Sequence, residues 1–213
     1  MKIEYFGHSC FRVTNDKGIS VLTDPYTRVG YELPKGLRAD IVTVSHGHFD
    51  HNAVGLVHAE NVIDGAGRYA FNGVFFETID SFHDEKQGAL RGKNLIFKWE
   101  TDGLCVCHLG DLGEPCNDEL IEKIGAVDIL LIPIGGKYTI DAKTAKEFVE
   151  KISPKVVIPM HYKPCDGTID ITDAEEFLGF YEGVARVGDS PVYLSAQDIK
   201  DKKKTIIFME RKR

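Results

Sequence analysis

The chain of 213 residues predicts a mixed α/β fold, on three observations. Its first half is a series of short β-branched and aromatic runs broken by turn residues, and its second half alternates such runs with segments of helical periodicity. Three of the runs, at 40–44, 103–107 and 155–158, lead into a His or an Asp. The first two observations set the class. The third says where chemistry gathers, because ligand sites in α/β folds collect at strand ends.

Taken in order, strands are expected over Lys2 to Tyr5, Cys10 to Asn15, Ser20 to Thr23, Asp40 to Val44, Asn61 to Asp64, Gly73 to Ser81, Asn94 to Thr101 and Gly103 to His108. The Thr101-Asp102-Gly103 step between two apolar runs is a hairpin signal, since Asp-Gly supplies the positive φ angles of a tight turn. Beyond it, Asn117 caps a helix with Asp118 and Glu119 in its first turn and Gly125 past its end. A strand over Asp128 to Ile132 and a Gly135-Gly136 loop precede a second helix from about Asp141 to Ile152. Lys155 to Ile158 is a strand leading to His161. Thr172 with Glu175 reads as a capping box for a helix toward Tyr181, and strands at Val192 to Leu194 and Thr205 to Glu210 close the chain. No Pro-, Ser- or Gly-rich linker interrupts it, so one domain over 1–213 is expected.

Residues 46 to 51 read His-Gly-His-Phe-Asp-His, four metal-competent side chains in six positions. Clustered imidazoles and a carboxylate cost stability unless something binds them, and the run follows Asp40-Ile41-Val42-Thr43-Val44-Ser45, whose β-branched character reads as a buried strand. A His-rich surface loop is the bland alternative, but the spacing is ordered. His46 and His48 flank a Gly expected to let the backbone turn closely around an ion, while Asp50 and His51 diverge toward a second one. Zinc takes such N and O donors.

His-x-His-x-Asp-His after a hydrophobic strand resembles the signature of the metallo-β-lactamase superfamily. Three further segments resemble it in the expected order: Ile19 to Pro25, a strand ending in Asp24; His108-Leu109-Gly110-Asp111; and Pro159-Met160-His161. Within that superfamily Gly7-His8-Ser9-Cys10-Phe11, Asp24-Pro25-Tyr26 and Ile158 to Tyr162 look most like the small hydrolases related to ascorbate-6-phosphate lactonase. The resemblance implies a four-layer αββα sandwich of two mixed sheets with helices outside. It also implies a ligand set: His46, His48 and His83 on one metal, Asp50, His51 and His161 on the second, and Asp111 bridging. Position 83 stays open, because His108 lies three residues from Asp111 and competes for it.

Seven donors sharing a carboxylate suit two divalent ions, zinc with manganese as the alternative, and a water activated between them. Asp50 and Asp111 are the expected catalytic carboxylates, Asp50 as ligand and proton shuttle. His8 is a source of a leaving-group proton, and Asp24 a carboxylate behind a metal-bound imidazole. For both, a strand-end or turn role is nearly as good a reading. Lys163, Lys137, Tyr138 and Tyr162 are placed at the mouth to attract an anionic group.

Hydrophobic residues make up 43% and charged residues 28%, ordinary for a soluble globular chain. No apolar run approaches membrane-spanning length, and the N-terminus enters a strand pattern without a signal core. A cytoplasmic protein is expected, with its five cysteines reduced. Cys105-Val106-Cys107-His108 lacks a partner pair for a structural zinc site, so these cysteines read as small buried hydrophobes. A formal net charge of −7 opposes nucleic-acid binding, and Lys202 to Lys204 and Arg211 to Arg213 read as a solvated turn and tail. The expected function is a metal-dependent hydrolase of small, anionic esters, lactones or phosphoesters. A nuclease of the same superfamily, a diiron redox protein and a non-catalytic binding module stand as alternatives. Homo-oligomerisation is left open.

Overall fold

A computed structural model gives the protein's structure over residues 1–200 and 204–212. The expected Lys202, Lys203 and Arg213 of the basic turn and tail lie outside these described residues. The first half contains strands β1 (Lys2–Gly7), β2 (Cys10–Thr14), β3 (Ser20–Thr23), β4 (Arg38–Thr43), β5 (His58–Ile63), β6 (Arg68–Phe71), β7 (Val74–Phe82), β8 (Lys93–Thr101) and β9 (Leu104–His108). The second half runs α1 (Asp118–Ile124), β10 (Ile129–Pro133), α2 (Ala142–Ile152), β11 (Val156–Met160), α3 (Glu175–Leu178), β12 (Ala185–Val187), β13 (Val192–Tyr193), α4 (Ala196–Lys200) and β14 (Thr205–Met209).

Two mixed sheets result. The six-stranded sheet has the order β13-β1-β2-β3-β4-β5 and the eight-stranded sheet β12-β14-β11-β10-β9-β8-β7-β6. Pairing is antiparallel from β1 to β3 and parallel from β3 to β5. In the larger sheet it is antiparallel from β6 to β9 and parallel beyond. Adjacent residues on the small sheet fall in different cores, as a period of two requires. Ile3, Tyr5, Phe11, Val21 and Ile41 join the main buried cluster with Val106, Leu130 and Trp99 of the other sheet. Phe6, Cys10, Leu22 and Val42 join a second cluster with Tyr26, Val29, Leu33 and Leu37. The outer layer on this sheet is therefore the segment 24–37, and its two prolines and Gly30 and Gly36 keep it from coiling into a helix. Gly30, at φ +101°, has no room for a side chain, since a Cβ would lie 2.5 Å from the Asp166 carbonyl.

On the other side α1 packs beside α2 and α2 beside α3, and Leu120, Ile124, Phe148 and Val149 enter the main cluster. Truncating the fully buried Phe148 to Ala would cost about 3–5 kcal/mol. The expected caps hold: Asn117 accepts from Leu120 N at 2.8 Å and Asp141 from Thr144 N at 2.8 Å. Asp102 and Gly103 have φ +52° and +71° and pair Thr101 with Leu104.

The expected capping box fails. Thr172 Oγ1 donates to the Gly135 carbonyl at 3.0 Å, and the helix is the single turn Glu175–Leu178 behind Ala174. Tertiary pairing of the 172 segment with the Gly135 loop takes the hydroxyl away from the helix. The basic tail is not simply solvated either. Arg211 pairs with Asp166 over the Tyr31 ring, and Lys212 Nζ reaches Glu4 at 2.5 Å. Lys204 donates to the Val149 carbonyl at 3.3 Å. No helix among the described residues is long and apolar enough to cross a membrane.

Candidate metal centre

Strand ends from both sheets meet at one edge of the sandwich. The small sheet delivers Asp24 after β3 and His46 to His51 after β4, with His8 in the β1–β2 turn. The large sheet delivers His83 after β7, Asp111 after β9 and His161 after β11. His8, Asp24 and His161 carry left-handed backbone at φ +53°, +39° and +51°. Such conformations persist only where the surroundings over-determine them. Here the His161 N–H donates to the His8 carbonyl at 2.8 Å, locking two of the turns together.

Asp111 lies at the middle. Its Oδ2 stands 3.1 Å from His51 Nε2, 3.1 Å from His161 Nε2, 3.4 Å from His83 Nε2 and 4.0 Å from His46 Nε2. Three sets of side chains have ligand atoms within 4.8 Å of one another: His46, His48 and His83; His8, Asp50, His51 and His161; and His46, His51 and Asp111. The third set takes one imidazole from each of the first two and joins them through the carboxylate. All seven residues singled out in the sequence are brought together, and His8 joins them as an eighth.

A single carboxylate behind this cluster orients two of the rings. Asp24, fully buried, accepts from Ser45 N at 2.7 Å, Ser45 Oγ at 2.7 Å and His51 Nδ1 at 2.9 Å. Ser45 Oγ in turn lies 3.0 Å from His46 Nδ1. With His46 Nδ1–H donating to Ser45 and His51 Nδ1–H donating to Asp24, both Nε2 lone pairs face inward, the arrangement in which an imidazole binds a cation. His46 Nε2, His51 Nε2 and Asp111 Oδ1 are buried without a hydrogen-bond partner. Imidazole nitrogens and carboxylate oxygens left facing one another in this way fit divalent cations between them.

The protonation states agree with that fit. Burial pushes His46 down to about 3 and His8 down to about 4, and it lowers His83, so these rings are neutral donors. Burial alone would favour the neutral carboxyl of Asp111, but His161 and His51 outweigh it and hold Asp111 well below the usual carboxylate range. Asp50 is likewise lowered, its burial outweighed by the His8 hydrogen bond at 3.2 Å and by His51. His51 is the exception. Burial disfavours its charge, yet Asp111 and Asp24 on its two nitrogens raise its pKa well above the ordinary value. A proton or a metal ion between His51 Nε2 and Asp111 Oδ2, 3.1 Å apart, would satisfy both groups.

The family model for the beta-lactamase superfamily domain matches residues 2–161. The chain belongs to that superfamily. A UPF0173 metal-dependent hydrolase of Carboxydothermus hydrogenoformans is 31% identical over 76% of this chain and 84% of its own. One of Methanoregula boonei is 31% identical over 91% and 94%. Among solved structures, a candidate zinc-dependent hydrolase of the metallo-beta-lactamase superfamily from Thermotoga maritima superposes with a TM-score of 0.81 at 38% identity, covering 98% of each chain. Within the superfamily, then, this is a member of the UPF0173 metal-dependent hydrolases.

In this beta-lactamase superfamily chain the two candidates for the third position, His83 and His108, are placed differently. His108 faces away from the cluster, with Nε2 2.9 Å from the Ser9 carbonyl and Nδ1 accepting from Gly110 N at 3.1 Å. His83 is the one within reach of Asp111. Gly47 does not serve as expected, for its φ is not left-handed and a Cβ there would meet nothing within 4 Å. The close approaches lie elsewhere. A Cβ on Gly135 would sit 2.1 Å from the His161 carbonyl, and one on Gly113 2.4 Å from that of His83.

Beside the cluster opens a cavity of about 510 Å³ lined by His48, Phe49, Asp50, His83, Arg91 and Tyr138 among others. Tyr138 was expected there. Lys137, also expected there, does not line the cavity; it is paired with Asp170, which does. Tyr162 and Lys163 are not at this mouth, since the reversed backbone at His161 sends them to a separate cavity, where Tyr162 OH donates to the Met209 carbonyl at 2.9 Å. Sequence reading missed Ser45, Arg91 and Asn94. Asn94 Oδ1 accepts the Asp111 N–H at 2.9 Å while its Nδ2 donates to the Leu109 carbonyl at 2.9 Å and Ser81 Oγ at 2.7 Å, which fixes the turn carrying Asp111.

Proposed function

We propose that the cluster holds two divalent cations, zinc or in its place manganese, and that the protein hydrolyses an ester, lactone or phosphoester bond of a small anionic molecule. His46, His48 and His83 would hold one ion, Asp50, His51 and His161 the other, and Asp111 would lie between. The observation that carries this reading is the position of the Asp111 carboxylate, within 4.0 Å of four imidazole nitrogens arriving from two sheets. When bound, the cations supply an acidified water and withdraw charge from the carbonyl or phosphoryl oxygen under attack.

The chain's own residues supply the rest. Asp24 and Ser45 keep the His51 and His46 protons on Nδ1, so that Nε2 is free. Asp50 is both in the cluster and on the cavity wall, which supports a role for one of its carboxylate oxygens in taking a proton from the attacking water. His8 Nε2 donates to Asp50 Oδ2 and fixes that carboxylate's rotamer. The same pair returns the proton to the leaving group. The five cysteines are unpaired, which suits a reducing cytoplasm.

Replacing Asp111 with Asn tests the reading. It keeps the shape, and the variant's circular dichroism should match the wild type. Tight binding of one of two ions and turnover of a chromogenic ester or phosphodiester should both be lost. Wild-type turnover by Asp111→Asn would sink the mechanism.

A further inference from the structure

We infer that Arg91 is the anchor for an anionic group carried by the substrate at the end remote from the bond that is cut. The inference rests on the hydrolytic reading above for the identity of the cavity's other end. Arg91 lines the cavity that His48, Asp50, His83 and Asp111 also line, so one occupant spans both. Four of the seven arginines among the described residues are neutralised: Arg12 by Glu4, Arg68 by Glu77, Arg186 by Glu175 and Arg211 by Asp166. Arg91 has no carboxylate within ion-pair distance among the described residues. Asp170, a carboxylate of the cavity wall, is taken up by Lys137 and not by Arg91.

The guanidinium is also held in place. Asp84, buried and next to His83, accepts four backbone N–H groups, from Lys86 at 2.8 Å, Gly88 at 3.0 Å, Leu90 at 3.0 Å and Arg91 at 2.7 Å. The loop is thus wound around one carboxylate, and its far end returns to the site, where the His83 N–H donates to the Gly92 carbonyl at 3.1 Å. Arg91 lies over the Tyr138 ring at 5.6 Å, a contact that orients the planar guanidinium without using its N–H donors. Those donors remain for a carboxylate or phosphate, which arginine binds in bidentate fashion. Phe49, half exposed, and Ile169 supply apolar wall. The occupant that matches is a small molecule with an apolar or aromatic body, a scissile ester-type bond at the metal end and an oxyanion at the other.

Binding of phosphonates to metal-loaded protein tests this without turnover. Phenylphosphonate and its 3- and 4-carboxylated forms share the metal-seeking group and differ in the distal anion. By calorimetric titration the wild type should prefer the better carboxylated isomer by about 10-fold or more. Arg91→Ala should bring that ratio to about 1, and Arg91→Lys should restore part of it. Equal affinities in the wild type, no binding of any of the three, or an undiminished ratio in Arg91→Ala would overturn the assignment. A lost anchor with metal-dependent ester turnover intact leaves the hydrolytic reading standing. An Arg91-dependent preference without any metal-dependent turnover does the reverse.

Discussion

Replacing Asp24 with Asn changes one atom at the back of the centre and should weaken it without emptying the pocket. The amide has the volume of the carboxylate and tolerates the φ of +39° at this position. Its oxygen can keep the 2.7 Å bond from Ser45 N, but its NH2 group then faces His51 Nδ1, 2.9 Å away. Two N–H donors cannot share that line. His51 must move its proton to Nε2, the nitrogen 3.1 Å from Asp111 that a cation would need. Losing a carboxylate behind a metal-bound imidazole typically costs about 10- to 100-fold in affinity, or roughly 1.4 to 2.7 kcal/mol. The upper end is expected here, because Asp24 also receives Ser45 Oγ and through it orients His46, a ring of the other set. Competition with a chromophoric chelator measures it, with both dissociation constants weakened and the stoichiometry kept at high metal. Wild-type affinity for both ions in Asp24→Asn would refute the reasoning.

Two further outcomes follow from other parts of the structure. Gly135→Ala places a Cβ 2.1 Å from the His161 carbonyl, closer than any relaxed contact, so His161 must shift; a loss of about 2 kcal/mol in apo-protein stability and of one bound equivalent is expected, and an unchanged metal count would count against the role of the Gly135 loop. Glu4 is buried beneath Arg12, Lys2 and Lys212. Burial alone would raise its pKa, but Lys212, Arg12 and Lys2 outweigh that and bring it from 4.5 down to about 2. A depressed folded-state value contributes stability above 4.5 that is lost as pH falls toward 2. Between pH 6 and pH 3 the urea-unfolding gap between apo wild type and Glu4→Gln should narrow by roughly 1–2 kcal/mol, allowing for the part-exposed lysines; a constant gap would remove the ion cluster from the account.

The centre was legible in the sequence because metal ligation restricts residue type sharply and the strands in front of the ligands are strongly β-branched. His46 to His51, Asp111 and His161 announce themselves by chemistry and by position after apolar runs. His83, the ligand assigned from the sequence, was left open against His108 because both stand at strand ends, and only the fold shows which of them reaches Asp111. Strand β6 was missed although its signal was present: Asn72-Gly73, with φ +53° and +80°, pairs Phe71 with Val74. Asn-Gly between β-rich runs is a hairpin signature. Asn94 and Arg91 carry no such mark. An Asn at the start of a strand and an Arg in a polar turn acquire their roles only from segments that sequence separates widely. Tyr162 and Lys163 misled for the converse reason, because proximity to His161 in sequence says nothing about direction once the backbone reverses at that residue.

Diffraction from zinc-soaked crystals on either side of the zinc absorption edge bears most directly on the central claim. Two anomalous peaks flanking the Asp111 carboxylate, one against His46, His48 and His83 and the other against Asp50, His51 and His161, are the predicted result. A single peak away from Asp111, or none within this cluster, would contradict it.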